Sequence, residues 1–216
     1  MEELVTCEGT VHSIIFQNAE NGYTVLRLLT EEGEVITVVG CIPCVAPGEH
    51  LAVSGVPETH PQHGEQLRAV ELERSLPEDE EEIFSYLSSG ICKGVGPATA
   101  RRIVERFGAE TLDVLEREPE RLTTLKGVTA RKAQEIAESF RQHMGLRRLM
   151  AFLAQFQLPP VLAMELRRQY GDAALEKVRE NPYLLSGEAC GVEFSVTDGI
   201  AMGVGLAADS DQRLQA

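Results

Sequence analysis

Gly94-Val95-Gly96-Pro97-Ala98-Thr99-Ala100 is the stretch that decides the fold, because it returns 33 residues later as Gly127-Val128-Thr129-Ala130-Arg131-Lys132-Ala133. At the same offset Ile103 falls on Ile136 and Phe107 on Phe140. A wider repeat, at 63 to 64 residues, lays Phe107-Gly108 on Tyr170-Gly171, Leu112 on Leu175, Pro119 on Pro182, Gly127-Val128 on Gly191-Val192 and Ile136-Ala137 on Ile200-Ala201. Self-similarity at a fixed period marks supersecondary units that stack on one another. Apolar residues through this half, among them Ile83, Leu87, Ile103, Phe107, Leu112, Leu115, Ile136 and Phe140, recur at the three- and four-residue spacing of a helix. The repeats therefore predict four helical hairpins in two pairs.

Each good copy has an apolar residue, a Gly-Val-Gly or Gly-Val-Thr turn, then a helix with Ala six residues and Ile nine residues after the first glycine, which is the helix-hairpin-helix pattern. The glycine lets the chain turn sharply, and the helix that follows presents unpaired N–H groups at the positive end of its dipole. Such a start is an anion site, for which a DNA phosphate is a natural occupant. Ala100 and Ala133 allow close helix packing, and Ile103 and Ile136 fill the space between. The candidate DNA-binding residues are Lys93, Gly94, Val95, Gly96 and Arg101 at the first turn, and Lys126, Gly127, Val128, Thr129, Arg131 and Lys132 at the second. Contacts of this kind hold the backbone without reading bases. The competing reading makes these turns plain corners of a helical bundle. The third hairpin reads Gln157-Leu158-Pro159-Pro160, without glycine, and the fourth reads Gly191-Val192-Glu193, with an acid where a phosphate would lie, so both are expected to be mainly structural.

Upstream the period changes. Runs rich in Val, Ile, Thr and Leu alternate with Asn21-Gly22, Glu32-Gly33, Pro47-Gly48 and His63-Gly64, predicting strands at about 4–16, 22–30, 34–41, 49–57 and 65–74. Five short strands with a long, bent first one suggest an oligonucleotide-binding (OB) barrel, with an SH3-like barrel as competitor. Pro77-Glu78-Asp79-Glu80-Glu81-Glu82 reads as a linker into a solvated helix start. The fold class is thus α+β with the two kinds segregated: a five-stranded OB-like β-barrel over 1–76, then an all-α tandem helix-hairpin-helix domain. Its first pair spans 77–145, and a second, degenerate pair spans 146–216.

Charge divides the same way. The net charge is −14, all of it from residues 1–90, which hold 17 acids against 3 bases, while residues 91–148 hold 12 bases against 8 acids. Phosphate affinity comes from Lys and Arg, so only the first hairpin pair has a suitable charge. In the barrel Phe16 and Tyr23 are the sole aromatics, few for a base-stacking platform, and the acidic surface points instead to docking of a motor or another protein. Cys41, Cys44, His60 and His63 have zinc-ligand spacing, but the barrel reading puts the cysteines at a strand end and the histidines in a hairpin loop. Five scattered cysteines, no run of apolar residues long enough to span a bilayer and an acidic N-terminus predict reduced thiols and a cytoplasmic location with no membrane partner.

Taken together, Asn21-Gly22-Tyr23-Thr24-Val25-Leu26, Tyr86-Leu87-Ser88-Ser89-Gly90, Lys93-Gly94-Val95-Gly96-Pro97, Glu180-Asn181-Pro182-Tyr183-Leu184 and Gly191-Val192-Glu193-Phe194 resemble, in order, the RecD-like DNA helicases of the long branch with an N-terminal extension. The resemblance implies an ATP-dependent helicase moving 5′ to 3′ on single-stranded DNA, with ATP and magnesium held by a downstream motor and roles in repair and recombination. Related hairpins often carry Lys shortly after the second glycine, where Pro97-Ala98 stand here; Arg131 keeps a cation in the second copy. No Gly-x-x-x-x-Gly-Lys-Ser/Thr occurs in the 216 residues, so the chain itself is expected to bind no cofactor and hydrolyse no ATP, and to end ahead of the motor. Two other functions compete. One is a free-standing junction-binding module like RuvA, which the wider repeat fits poorly. The other is an acidic interaction scaffold.

Overall fold

The computed structural model describes residues 4–187 and 190–203, which fall into two compact units that divide between His143 and Met144. The first unit begins with five strands: β1 (Val5–Gln17), β2 (Tyr23–Thr30), β3 (Val35–Cys41), β4 (His50–His60) and β5 (Gly64–Ser75). They close into a barrel in the order β1-β2-β3-β5-β4. The pairings are antiparallel except β3 with β5. This is the five-stranded OB arrangement expected from the sequence.

β1 serves two neighbours, pairing with β4 from Val5 to Thr10 and with β2 from Gly9 to Gln17. Register shifts at His12 and at Ile15 supply the bend this needs. Alternate residues point inward, so Val11, Leu26, Leu28, Val38, Leu51, Val53 and Leu67, with Ile42 and Val45 from the β3–β4 connection, form the core. β4 runs three residues beyond the predicted end, through Pro57 to His60. Past Gly55 it has β5 but no longer β1 beside it, so a residue without an N–H is tolerated there.

The β3–β4 connection is tied down by charge. Glu49 is fully buried and meets Arg74 of β5, with Nη2 2.8 Å from Oε2, while Arg74 also donates to the carbonyls of Pro43 (2.9 Å) and Cys44 (3.1 Å). Gly48, at φ +88°, lies so close to the next element that a Cβ there would stand 2.2 Å from the Glu82 carbonyl oxygen. That element is α1 (Glu80–Tyr86), whose N-cap is Asp79, accepting from the Glu82 amide at 2.8 Å. The acid run is therefore more than a solvated start. Glu82 accepts from Thr10 Oγ1 at 2.6 Å, and Glu81 pairs with Arg101.

After a π-helical turn at Leu87–Ile91 come α2 (Pro97–Phe107), α3 (Thr111–Arg117) and α4 (Ala130–Ala154), with 3₁₀ turns at Gly108–Glu110 and Pro119–Thr124. The second unit repeats this order: α5 (Val161–Tyr170), a 3₁₀ turn at Gly171–Ala173, α6 (Ala174–Glu180), a 3₁₀ turn at Pro182–Ser186 and α7 (Phe194–Gly203). The expected packing residues are buried, with Ala100, Ile103, Ile136 and Phe140 at 1% exposure or less, although Leu112 is only half-buried. The tandem hairpins are thus present in both pairs. No helix among the described residues is long and apolar enough to cross a membrane.

Candidate nucleic-acid interface

Each hairpin turns at one residue with positive φ: Gly94 (85°), Gly127 (82°), Gln157 (58°) and Gly191 (62°). In the first pair the next residue but one begins or caps a helix of more than two turns, Gly96 before α2 and Thr129 before α4. Val95 and Val128 point into the core, at 4% and 6% exposure, so these two can offer a ligand only their backbone. Cβ positions built at Gly94, Gly96 and Gly127 would meet nothing within 4 Å, so the space above both turns is open.

The amide inventory is specific. The Val95 and Val128 amides close their own turns onto the carbonyls of Cys92 (3.0 Å) and Leu125 (3.1 Å). Thr129 caps α4, its Oγ1 accepting from the Lys132 amide at 3.2 Å. Among the described residues, the amides of Gly94, Gly96 and Ala98 at the first turn, and of Gly127, Thr129, Ala130 and Arg131 at the second, meet no protein acceptor, and these residues are exposed. Unsatisfied N–H groups at a helix start are what binds an oxyanion.

The flanking cations divide into two groups. Lys93 and Lys126 are exposed and Lys132 half-buried, and among the described residues none forms an ion pair. Arg101 is committed inward: its guanidinium lies 3.8 Å from the Phe84 ring centroid and 2.9 Å from Glu81. Arg131 is exposed and bonded to Glu135 on the next turn at 2.8 Å, a hydrogen bond that pushes the guanidinium pKa further up and leaves an exchangeable partner.

Two side chains that sequence reasoning missed join the hairpins. Ser139 of α4 accepts from the Lys93 amide (2.9 Å), and Arg102 of α2 donates from Nη1 to the Lys126 carbonyl (2.6 Å). Each turn is thus held by a helix of the other hairpin. Both partners are main-chain groups 46 and 24 residues away, which no side-chain pattern encodes.

The second pair differs where it counts. Pro159, two residues after Gln157, has no amide where Gly96 and Thr129 offer one, and the carbonyls of Pro159 and Pro160 are taken by Leu162 and Ala163. At the fourth turn the Gly191 amide is spent on Gly187 (2.9 Å), and Glu193 precedes α7. Tyr183 stacks on Phe194 at 5.6 Å and donates to Asp198 at 2.8 Å, which is packing rather than an anion site.

The four residues with zinc-ligand spacing have other contacts. His60 and His63 stack on each other at 4.6 Å across the β4–β5 turn, Cys41 donates to the Asn21 carbonyl, and no three His, Cys, Asp or Glu side chains form a metal site among the described residues. Cys92, buried beside the first turn, has its thiol pushed up to about 12 by desolvation and stays neutral.

Three models of known protein families match successive stretches of the chain. Residues 4–77 match the OB-fold domain of the ATP-dependent DNA helicase YrrC, residues 84–142 a SAM-like helix-hairpin-helix tandem, and residues 142–216 the helix-hairpin-helix domain of the ATP-dependent RecD2 DNA helicase. The ATP-dependent RecD2 DNA helicase of Deinococcus radiodurans is 30% identical over 215 residues, which are 96% of this chain and 30% of that protein. The chain therefore spans less than a third of that relative. Among solved structures, the S. pombe Stn1-ten1 complex is similar at 21% identity and a TM-score of 0.28, over 33% of this chain and 57% of that one.

Proposed function

With those three domains in order, the chain is an N-terminal region of RecD-like helicase type, and from that premise we propose that it holds the DNA backbone for a longer motor protein. The grip is made by the amides at Gly94, Gly96 and Ala98 and at Gly127, Thr129, Ala130 and Arg131, with Lys93, Lys126 and Lys132 neutralising phosphate. The open amides above both first-pair turns carry this reading. Val95 and Val128 contribute backbone shape, Arg101 braces α2 against α1, and Arg131 exchanges Glu135 for phosphate. The contacts are sequence-independent, since nothing in them reads a base edge.

In the whole protein this region delivers DNA to a downstream motor that supplies ATP and magnesium chemistry and travels 5′ to 3′, in repair or recombination in the cytoplasm. The acidic barrel faces the motor or another protein.

The test is a salt titration of duplex binding by fluorescence anisotropy, comparing the chain with a Lys93→Gln/Lys126→Gln/Lys132→Gln variant. Each phosphate contact contributes about 0.9 to the slope of log K against log salt. The triple variant is expected to lose about 2 to 3 of that slope. An unchanged slope would refute the assignment.

A further inference from the structure

Arg102 reaches from the helix of the first hairpin into the turn of the second. Its Nη1 donates to the Lys126 carbonyl at 2.6 Å, its Nε approaches the Ala98 carbonyl of its own helix at 3.4 Å, and among the described residues Nη2 meets no acceptor. Lys126 is the residue before Gly127, so one arm of the guanidinium is tied to the second turn at the Lys126–Gly127 peptide. A guanidinium is a rigid planar fork of five donors. Fixing one arm on a carbonyl sets the direction of the other, and the side chain is exposed.

Among the described residues the first turn receives no such guanidinium. At the 33-residue offset the counterpart of Arg102 is Glu135, whose carboxylate is occupied by Arg131, and what reaches the first turn from α4 is the neutral hydroxyl of Ser139. Two turns with the same backbone therefore carry different charge. The first has Lys93 with Pro97-Ala98 behind it; the second has Lys126, Arg131, Lys132 and a borrowed guanidinium.

We propose that Arg102 is a phosphate ligand of the second turn, supplied by the first hairpin, and that it makes the second turn the tighter of the two anchors. This rests on the backbone-gripping reading above. One arm positions the turn, through Lys126, and the other contacts the DNA that the turn holds. The two hairpins then act on one strand as a unit rather than as two independent clips.

The experiment uses the 216-residue chain, a short labelled DNA duplex and anisotropy titrations between about 50 and 200 mM salt. Circular dichroism melts accompany each variant. Arg102→Gln is expected to weaken binding about tenfold, as loss of one charge-assisted hydrogen bond does, and to reduce the salt slope by about 0.9. Arg102→Lys keeps the charge and is expected to retain most of the slope. Weaker binding by Arg102→Gln with the slope intact would make Arg102 only a support for the turn and would overturn the proposal. So would unchanged affinity in a variant that melts normally. Failure of the underlying reading looks different: the chain would then bind with a shallow slope, and the Lys93→Gln/Lys126→Gln/Lys132→Gln variant would match it.

Discussion

Glu49 is a carboxylate with no exposure to water, and Arg74 and the Ala46 amide stand against it. Arg74 donates to it from Nε at 3.1 Å and from Nη2 at 2.8 Å, and the Ala46 amide donates to Oε1 at 3.0 Å. A buried ion left alone costs far more than the pair contributes. Arg74→Met should therefore destabilise the barrel by about 3–5 kcal/mol, whereas Glu49→Gln/Arg74→Met, which removes both charges, should recover most of that. Urea denaturation of the single and double variants measures the coupling; equal midpoints for the two would contradict it. None of this was legible in the sequence. Glu49 follows the Pro47-Gly48 turn at the start of a predicted strand, and nothing in that pattern marks it as buried or names Arg74, 25 residues on, as its partner. The same blindness applies to Arg101, which reads as a free cation and is committed to Glu81 and Phe84, and to Arg102, whose partner is a carbonyl. A sequence pattern shows which residues are charged. It does not show which of them find a partner.

At the scale of elements the repeat was legible, because hairpins need the same few residue types at fixed offsets: an αL residue to turn, a small residue for close packing, a branched one to fill. The third hairpin escaped that signature for want of a glycine, yet the 63-residue offset lands Gln157 on Gly94, and Gln157 adopts the same left-handed turn at φ 58°. Topology has held the conformation after the residue that favours it was lost. A non-glycine residue there costs about 1–2 kcal/mol, so Gln157→Gly should stabilise the second unit by roughly 1 kcal/mol, a gain partly offset by the freer unfolded chain. A rise in the thermal or urea midpoint checks this, and a fall would mean that the Gln157 side chain does packing work that outweighs the strain. The variant should leave DNA affinity unchanged, because Pro159 still has no amide where Gly96 and Thr129 offer one.

Charge is unevenly divided along the whole molecule, and the division bears on what the barrel does. Its outer β1–β2 surface exposes Phe16 and Tyr23, at 52% and 42%, with ring centroids 6.5 Å apart and planes tilted by 53°. Two exposed rings on a barrel of this topology suggest a platform for bases. Against that stands the electrostatics: residues 1–90 carry 17 acids and 3 bases, and of the bases Arg74 is bound to Glu49 and Arg68 to Glu58. Stacking on two rings contributes about 1–3 kcal/mol per base, but the strand must first approach a surface that repels its phosphates, a repulsion screened only over about 10 Å at 0.1 M salt. With so few cations to offset it, repulsion should win. Phe16→Ala/Tyr23→Ala is therefore expected to change affinity for a labelled single strand by less than about twofold, within the usual reach of a surface change, while Lys126→Gln weakens it in the same titration. If the double aromatic variant instead loses tenfold or more, the rings are stacking bases and the barrel belongs to the DNA path. The expected result leaves DNA to the hairpins and frees the acidic barrel, apolar rings included, for a protein surface.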